Sequence, residues 1–202
     1  MGELMKFKTV LADPPWDYKN KATRSAAAKN YPTMTDEELQ ALPVIELIDD
    51  NAHLYLWSPT DHIREALALM NAWDFEYKTL LPWIKFTKHG KIHFGMGNYF
   101  RSCCELLLFG VHGKMRTLTR NTRNLIRAKK PPRHSAKPPI AYIKIEANSP
   151  SPRIELFARE TRPGWTSIGR DIDGKDIRDA MDILINYQSK EDLRGKILNV
   201  TQ

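Results

Sequence analysis

Phe7-Lys8-Thr9-Val10-Leu11-Ala12-Asp13-Pro14-Pro15-Trp16 decides how this chain is read. Phe7 to Ala12 is an apolar run of one strand's length, and two consecutive prolines, which lack a backbone donor, end it at Asp13. A carboxylate, a rigid turn and a large aromatic therefore meet where a buried strand stops. Working outward, Ala52 to Trp57, Phe75 to Ile84, Glu105 to Val111 and Arg153 to Ala158 also read as strands. Helices fall between them. Thr35-Asp36-Glu37-Glu38 fits a capping box, in which Thr35 and Glu38 serve each other's backbone N–H groups, opening a helix to about Leu42. Ser58-Pro59-Thr60-Asp61 opens another, with Ile63, Leu67 and Met70 or Asn71 at helical spacing and Leu69 alongside. Ser135 to Pro139 opens a third through Asn148, since proline suits a first turn. Lys175 to Tyr187 carries Ile177, Met181, Leu184 and Tyr187 on one side. This alternation predicts an α/β domain, its mainly parallel sheet covered by helices on both faces. Ligands of such sheets bind beyond the carboxyl ends of the strands, which singles out Asp13 to Trp16, Trp57-Ser58-Pro59 and Arg159 onward.

The chain has 202 residues, 42% hydrophobic and 27% charged, which fits one globular domain over residues 1–202, without linker or repeat. Cys103 and Cys104 are adjacent and cannot staple a fold, and no spaced Cys/His cluster suggests a metal. No apolar run approaches the roughly 20 residues that cross a bilayer, and the start lacks a signal peptide's apolar core. A cytoplasmic protein with no membrane partner is expected.

The net charge of +7 is unevenly spread: Tyr77 to Ile145 holds 15 Lys and Arg against one acid, Glu105, so this third carries +14 and the rest −7. Within it Lys114, Arg116, Arg120, Arg123, Arg127, Lys129, Lys130, Arg133 and Lys137 occupy an acid-free stretch. From His112 to Lys137 it reads as a basic loop longer than most, and such loops are functional or disordered. A charge run is usually a solvated face. This one ends beside the candidate site, so phosphate contacts to a polyanion are expected, with Lys19 to Asn30 as an opposing jaw.

Asp13 to Trp16 suits one chemistry well. The lone pair of an exocyclic amine on a base is delocalised into the ring and must be localised before it can attack an electrophilic methyl group. Two acceptors aimed at the amino hydrogens do this: the Asp13 carboxylate and the Pro14 carbonyl, fixed by the restricted backbone of Pro14-Pro15. Trp16 offers a stacking face for the base. The alternative is a helix-entry turn, in which Asp13 caps and Trp16 packs in the core.

The tetrapeptide resembles the catalytic motif of amino-methyltransferases that use S-adenosylmethionine. Its Trp ending is similar to the family named for the seventy-kilodalton subunit of mRNA adenosine N6-methyltransferase. The resemblance runs from about Val10 to Gly174. Tyr31-Pro32-Thr33-Met34 resembles the family's Tyr-x-Thr-Met segment, whose Tyr lies near the adenine. His53-Leu54-Tyr55-Leu56-Trp57 and Leu81-Pro82-Trp83-Ile84-Lys85 resemble its next strands. Gly97 to Arg101 followed by Glu105 to Val111 resembles the segment whose Glu faces the site; a plain ion pair is the other reading of Glu105. His134-Ser135-Ala136-Lys137-Pro138 is similar to an element whose Lys contacts the donor, and Lys137 at a helix N-terminus can meet the methionine carboxylate. Ile154 to Arg159 is similar to the strand whose Glu and Arg approach the donor, Pro163-Gly164-Trp165 following; a surface salt bridge between Glu155 and Arg159, on one strand face, is the alternative.

Gly169-Arg170-Asp171 departs from the family's Gly-Asn-Gln or Gly-Asn-Glu: Asp171 can still accept from ribose hydroxyls, while Arg170 is a cation in place of an amide. Phe94-Gly95-Met96-Gly97 mimics a glycine-rich donor loop, but its spacing fails by one residue. The resemblance thus implies a class I, Rossmann-like methyltransferase fold and an S-adenosylmethionine-dependent adenine N6-methyltransferase. Its catalytic residues are Asp13, Pro14, Pro15 and Trp16; Tyr31, Glu105 and Trp57 hold the base; Ser135, Lys137, Glu155, Arg159, Arg170 and Asp171 hold the donor. No metal is required. DNA is the preferred substrate, by likeness to compact bacterial or phage members, with RNA the alternative. A non-catalytic nucleic-acid-binding subunit of the same fold is a further reading, and methylation of a protein glutamine fits less well. No separate target-recognition domain is expected, so sequence selectivity should be short, lax or supplied by a second subunit, and a homodimer or a second subunit is left open as the assembly.

Overall fold

The structure, a computed structural model, describes residues 6–17, 33–97, 99–133 and 135–200, with side chains as far as Gln188. Among the described residues seven strands form one sheet: β1 Phe7–Ala12, β2 Ile48–Ser58, β3 Glu76–Phe86, β4 Cys104–His112, β5 Ile126–Lys129, β6 Arg153–Leu156 and β7 Thr166–Ile168. Their order is β5-β3-β4-β2-β1-β6-β7. Only β4 runs against its neighbours, pairing antiparallel with β2 and β3 while the other pairings are parallel. The expected mainly parallel sheet is present.

The helices are α1 Asp36–Gln40, α2 Ile63–Ala72, α3 Pro139–Asn148, α4 Arg170–Asp173 and α5 Ile177–Val200. The capping box forms as read: Thr35 Oγ1 accepts from the Glu38 amide at 3.2 Å, and Glu38 Oε2 from the Thr35 amide at 2.9 Å. No helix among the described residues is long and apolar enough to cross a membrane.

Period-two alternation sorts the core into two layers. Val10, Ala12, Leu54, Leu56 and Leu108 pack with Leu39 of α1, Ala66, Leu69 and Met70 of α2, and Met181 of α5. Leu11, Tyr55, Trp57, Leu107 and Phe109 pack on the other face with Ala141, Tyr142 and Ile145 of α3. Burial on both faces is why these strands read as continuous apolar runs.

Four details expected from the sequence are corrected. The buried stripe of α2 is Ala66, Leu69 and Met70, while Leu67 is exposed, because the helix turns Leu67 out from the sheet. Tyr187 of α5 is exposed, the packed face being Ile177, Ala180 and Met181. The apolar run from Arg153 ends at Leu156 rather than Ala158, since Phe157 takes a left-handed φ of 61°. The stretch His112 to Lys137 is not one loop: it contains β5, which pairs Trp83↔Ile126 through Phe86↔Lys129.

Candidate active site

Because β1, β2, β3, β6 and β7 point one way and β4 the other, their carboxyl ends and the amino end of β4 share one edge. Alternation then fixes which side chains meet there. Asp13 continues the Leu11 side of β1, Trp57 lies on the same side of β2, Trp83 on that side of β3, and Glu105 falls in register with Trp83. All face the layer occupied by α3. Lys137, in the lead-in to α3, reaches into this group. Its ammonium lies 2.6 Å from Asp13 Oδ2, 3.5 Å from Glu105 Oε2 and 5.4 Å from the centre of the Trp57 ring. Lys85 bonds the other oxygen of Glu105. The result is a chain of alternating charge, Asp13–Lys137–Glu105–Lys85.

Burial opposes the charge on Lys137, yet Asp13 and Glu105 outweigh it and hold its pKa above the usual lysine value. Burial likewise opposes ionisation of Glu105, but Lys137 and Lys85 prevail and lower its pKa. Both stay charged because each is paired.

On the other side of Asp13, at the topological switch between β1 and β6, lies a cleft of about 210 Å³ lined by Asp13, Pro15, Phe157, Arg159, Arg170 and Asp171, among others. Asp171 Oδ2 also accepts from Arg133 at 3.3 Å, which draws the end of the basic stretch to the cleft's rim. Close packing shapes this wall: a Cβ on Gly169 would meet the Ala158 carbonyl at 2.4 Å.

The turn after β1 is tight. The Trp16 amide donates to the Pro14 carbonyl at 2.9 Å, fixing its direction while leaving that oxygen a second acceptor lobe. The Met34 amide donates to the Pro15 carbonyl at 3.0 Å.

The structure brings together Asp13, Pro14, Glu105, Trp57 and Lys137 on one side, and Arg159, Arg170 and Asp171 on the other. Several residues stand differently from expectation. Trp16 is only 5% exposed, its indole N–H donating to the Trp57 carbonyl at 3.2 Å, so its faces are packed rather than open to a base. The Trp57 ring, 1% exposed, is covered too, with Lys137 over it. Lys137, expected to meet the donor's carboxylate, is engaged by the carboxylates of Asp13 and Glu105. Glu155 does not share a strand face with Arg159, because β6 ends between them; it accepts from the Tyr142 hydroxyl at 2.8 Å beneath α3. Burial pushes Glu155 up to about 7, against the Tyr142 hydrogen bond and Arg162, which pull it down. Ser135, at a φ of 59°, offers its carbonyl to Lys137 at 3.4 Å. Tyr31 and the Lys19 to Asn30 loop lie outside the described residues.

The basic stretch is divided. Antiparallel β4 carries the chain to the far edge of the sheet, where the Lys114 amide meets Asn51 at 2.8 Å, near the amino end of β2. Lys114 and Arg116 therefore lie away from the site. Arg120 and Arg123 line a second cavity, of about 200 Å³, with Tyr55, Phe109 and Asn148. Only with β5 does the chain return, setting Lys129, Lys130 and Arg133 near the mouth, with Arg127 stacked 5.3 Å from the Phe86 ring. The expectation that the whole run borders the site is corrected to the part from β5 onward.

Sequence reasoning misses Lys85 as a member of the site. Its signal is two-residue spacing from Trp83 toward the strand end, readable once β4 is known to be antiparallel.

Comparison with known proteins accords with this arrangement. The MT-A70 family model matches residues 7–171. A Type II methyltransferase, M.MunI, of Mycoplasma sp is 31% identical over 188 residues, covering 83% of this chain and 78% of its own. The human N(6)-adenosine-methyltransferase catalytic subunit METTL3 is 29% identical over 192 residues, 93% of this chain and 32% of its own. Human N(6)-adenine-specific methyltransferase METTL4 is 28% identical over 82% of this chain and 37% of its own. This chain thus spans about a third of the length of these human relatives. It belongs to the MT-A70 family of N6-adenine methyltransferases, and its sheet is that family's class I methyltransferase fold.

Proposed function

We propose, from this family membership, that the chain is an S-adenosylmethionine-dependent N6-adenine methyltransferase acting on DNA. The observation that carries the proposal is the position of Asp13, with a cleft on one side and the Lys137–Glu105–Lys85 chain on the other.

The cleft fits the donor by its chemistry. Asp171 can accept from ribose hydroxyls, and Arg159 and Arg170 can answer the methionine carboxylate. Bound there, S-adenosylmethionine supplies an electrophilic methyl group. The chain's own residues do the rest. Asp13 and the Pro14 carbonyl accept from the two amine hydrogens, raising electron density on nitrogen where charge develops. Asp13 is positioned to receive the proton released after transfer. Since Lys137 already bonds Asp13, the incoming amine must share or displace that contact. Glu105 gives the displaced ammonium a second carboxylate nearby. With Trp16 and Trp57 covered, holding the base by stacking falls to Tyr31.

DNA is preferred because a relative matched over 78% of its own length is a Type II methyltransferase, whereas the human adenosine methyltransferase matches over 32% of its own. The test is incubation with labelled donor and matched single- and double-stranded DNA and RNA oligonucleotides, beside an Asp13→Ala control. N6-methyladenine in DNA, absent with the control, is the expected result. Label in RNA alone moves the substrate to RNA, and none in any substrate ends the enzymatic reading.

A further inference from the structure

The loop joining β3 to β4 exposes Ile92, Phe94, Met96, Tyr99 and Phe100, the last two 96% and 90% exposed. So many large apolar side chains on one short stretch are unusual for a free surface and mark a binding site. The loop has a defined form. The Thr87 amide donates to the Lys91 carbonyl and the His93 amide to that of Lys85, each at 2.8 Å, and the Gly95 amide donates to the Ser102 carbonyl at 2.9 Å. A Cβ on Gly95 would meet the Ser102 carbonyl at 2.5 Å, and one on Gly97 the Phe100 carbonyl at 2.0 Å. The glycines that mimic a donor motif thus serve close backbone approach.

Charge says what covers this surface. Lys88 and Lys91 precede the aromatics and Arg101 follows them, and no acid occurs between Tyr77 and Cys104. The Arg101 guanidinium lies 4.9 Å from the Phe94 ring centre, so cation and π-face form one surface. The loop rises from the strand ends that carry Lys85 and Glu105. Lys130 adjoins them, its amide donating to the Phe86 carbonyl at 2.9 Å. Flat apolar faces set among unopposed cations suit unstacked bases on a phosphate backbone.

We propose that residues 88–97 and 99–101 form a stacking platform for unpaired nucleotides flanking the target adenine. This rests on the nucleic-acid methylation proposed above. Phe94, Tyr99 and Phe100 stack on bases, while Lys88, Lys91 and Arg101 hold phosphates.

The test uses single-stranded DNA of about 12 nucleotides, within the range of known single-strand sites, with 2-aminopurine two positions from one adenine. The parent protein should quench the probe. The Phe94→Ser/Tyr99→Ser/Phe100→Ser variant should bind about tenfold or more weakly, lose the quench and keep the salt dependence, as loss of stacking requires. Lys88→Ala/Lys91→Ala/Arg101→Ala should instead flatten the salt dependence, by about 0.7 in slope for each phosphate no longer neutralised. Donor binding measured by calorimetry should be unchanged in both, which shows that they fold. DNA affinity of the aromatic variant within twofold of the parent overturns the platform, and if that variant also falls from dimer to monomer in sedimentation, the loop is a subunit interface. A parent that methylates DNA while the variants bind normally fails this proposal alone. A parent that binds and quenches through the loop without methylating supports the platform and fails the enzymatic reading; one that neither binds nor methylates fails both.

Discussion

The Lys137 ammonium lies 2.6 Å from Asp13 Oδ2, across 124 residues of sequence and at the mouth of the sheet. The carboxylate proposed above to meet a substrate amine is thus already engaged by a cation, and both roles depend on its charge. Asp13→Asn keeps the shape but weakens acceptance from the amine. Methylation should fall by about 10²-fold or more, the scale of one lost electrostatic stabiliser, while donor affinity changes little. Single-turnover assays beside calorimetry check this; equal losses in both would make Asp13 a donor-binding residue instead.

Lys137→Met removes the cation between Asp13 and Glu105. Breaking a buried pair from one side costs about 3–5 kcal/mol, because the remaining charges stay desolvated. Adding Asp13→Asn should restore part of this, with non-additivity of about 1 kcal/mol or more, as expected of residues in contact. Urea titrations of the two single variants and the double variant measure it. Strict additivity would mean that the contact contributes nothing to folding.

Glu155 gives stability a sign with pH. Its folded pKa of about 7 lies above the ordinary carboxyl value of 4.5, chiefly through burial. The folded state therefore binds the extra proton between those values, so this contribution is complete below about 4.5 and lost as pH rises through 7. The difference of about 2.5 pH units corresponds to about 3 kcal/mol. Glu155→Gln can still accept from Tyr142 and should flatten the decline in unfolding free energy across that window. An unchanged slope would place the titration elsewhere.

Gly169 packs against the wall of the cleft proposed for the donor, where an added Cβ would lie 2.4 Å from the Ala158 carbonyl and 2.6 Å from its amide. Backbone atoms cannot yield as a flexible side chain can. Gly169→Ala should part β6 from β7 at this edge and weaken donor binding by about tenfold or more, with a stability loss of about 1–3 kcal/mol. Donor binding equal to the parent's would separate the cleft from the donor site.

Much of this was legible in the sequence, for identifiable reasons. Two-sided burial makes β1, β2 and β4 continuous apolar runs, and Pro14-Pro15 can only end a strand, so residue type alone places Asp13. The capping box at Thr35 is legible because both its partners are local. What depends on strand direction is not. Nothing in Glu105 to Val111 says that β4 runs backwards, and that reversal puts Glu105 at the mouth and sends Lys114 to the far edge. β5 and β7 escape notice because four- and three-residue strands carry no periodicity of their own and exist through their neighbours. The Arg127 and Lys129 side chains make β5 look like loop, although only Ile126 is buried deeply.

That reversal also divides the basic stretch in a measurable way. Arg127→Ala/Lys129→Ala/Lys130→Ala removes cations carried back by β5 to the site's edge. It should weaken DNA binding and lower the slope of log affinity against log salt by about two, if these side chains neutralise two or three phosphates. Lys114→Ala/Arg116→Ala removes two cations from the opposite edge and should leave both slope and methylation near the parent's. Total charge falls by three in the first variant and by two in the second, so nonspecific attraction predicts losses in that proportion while placement confines them to the first. Losses in that proportion would make the field of the whole positive segment, rather than its return through β5, the basis of nucleic-acid affinity.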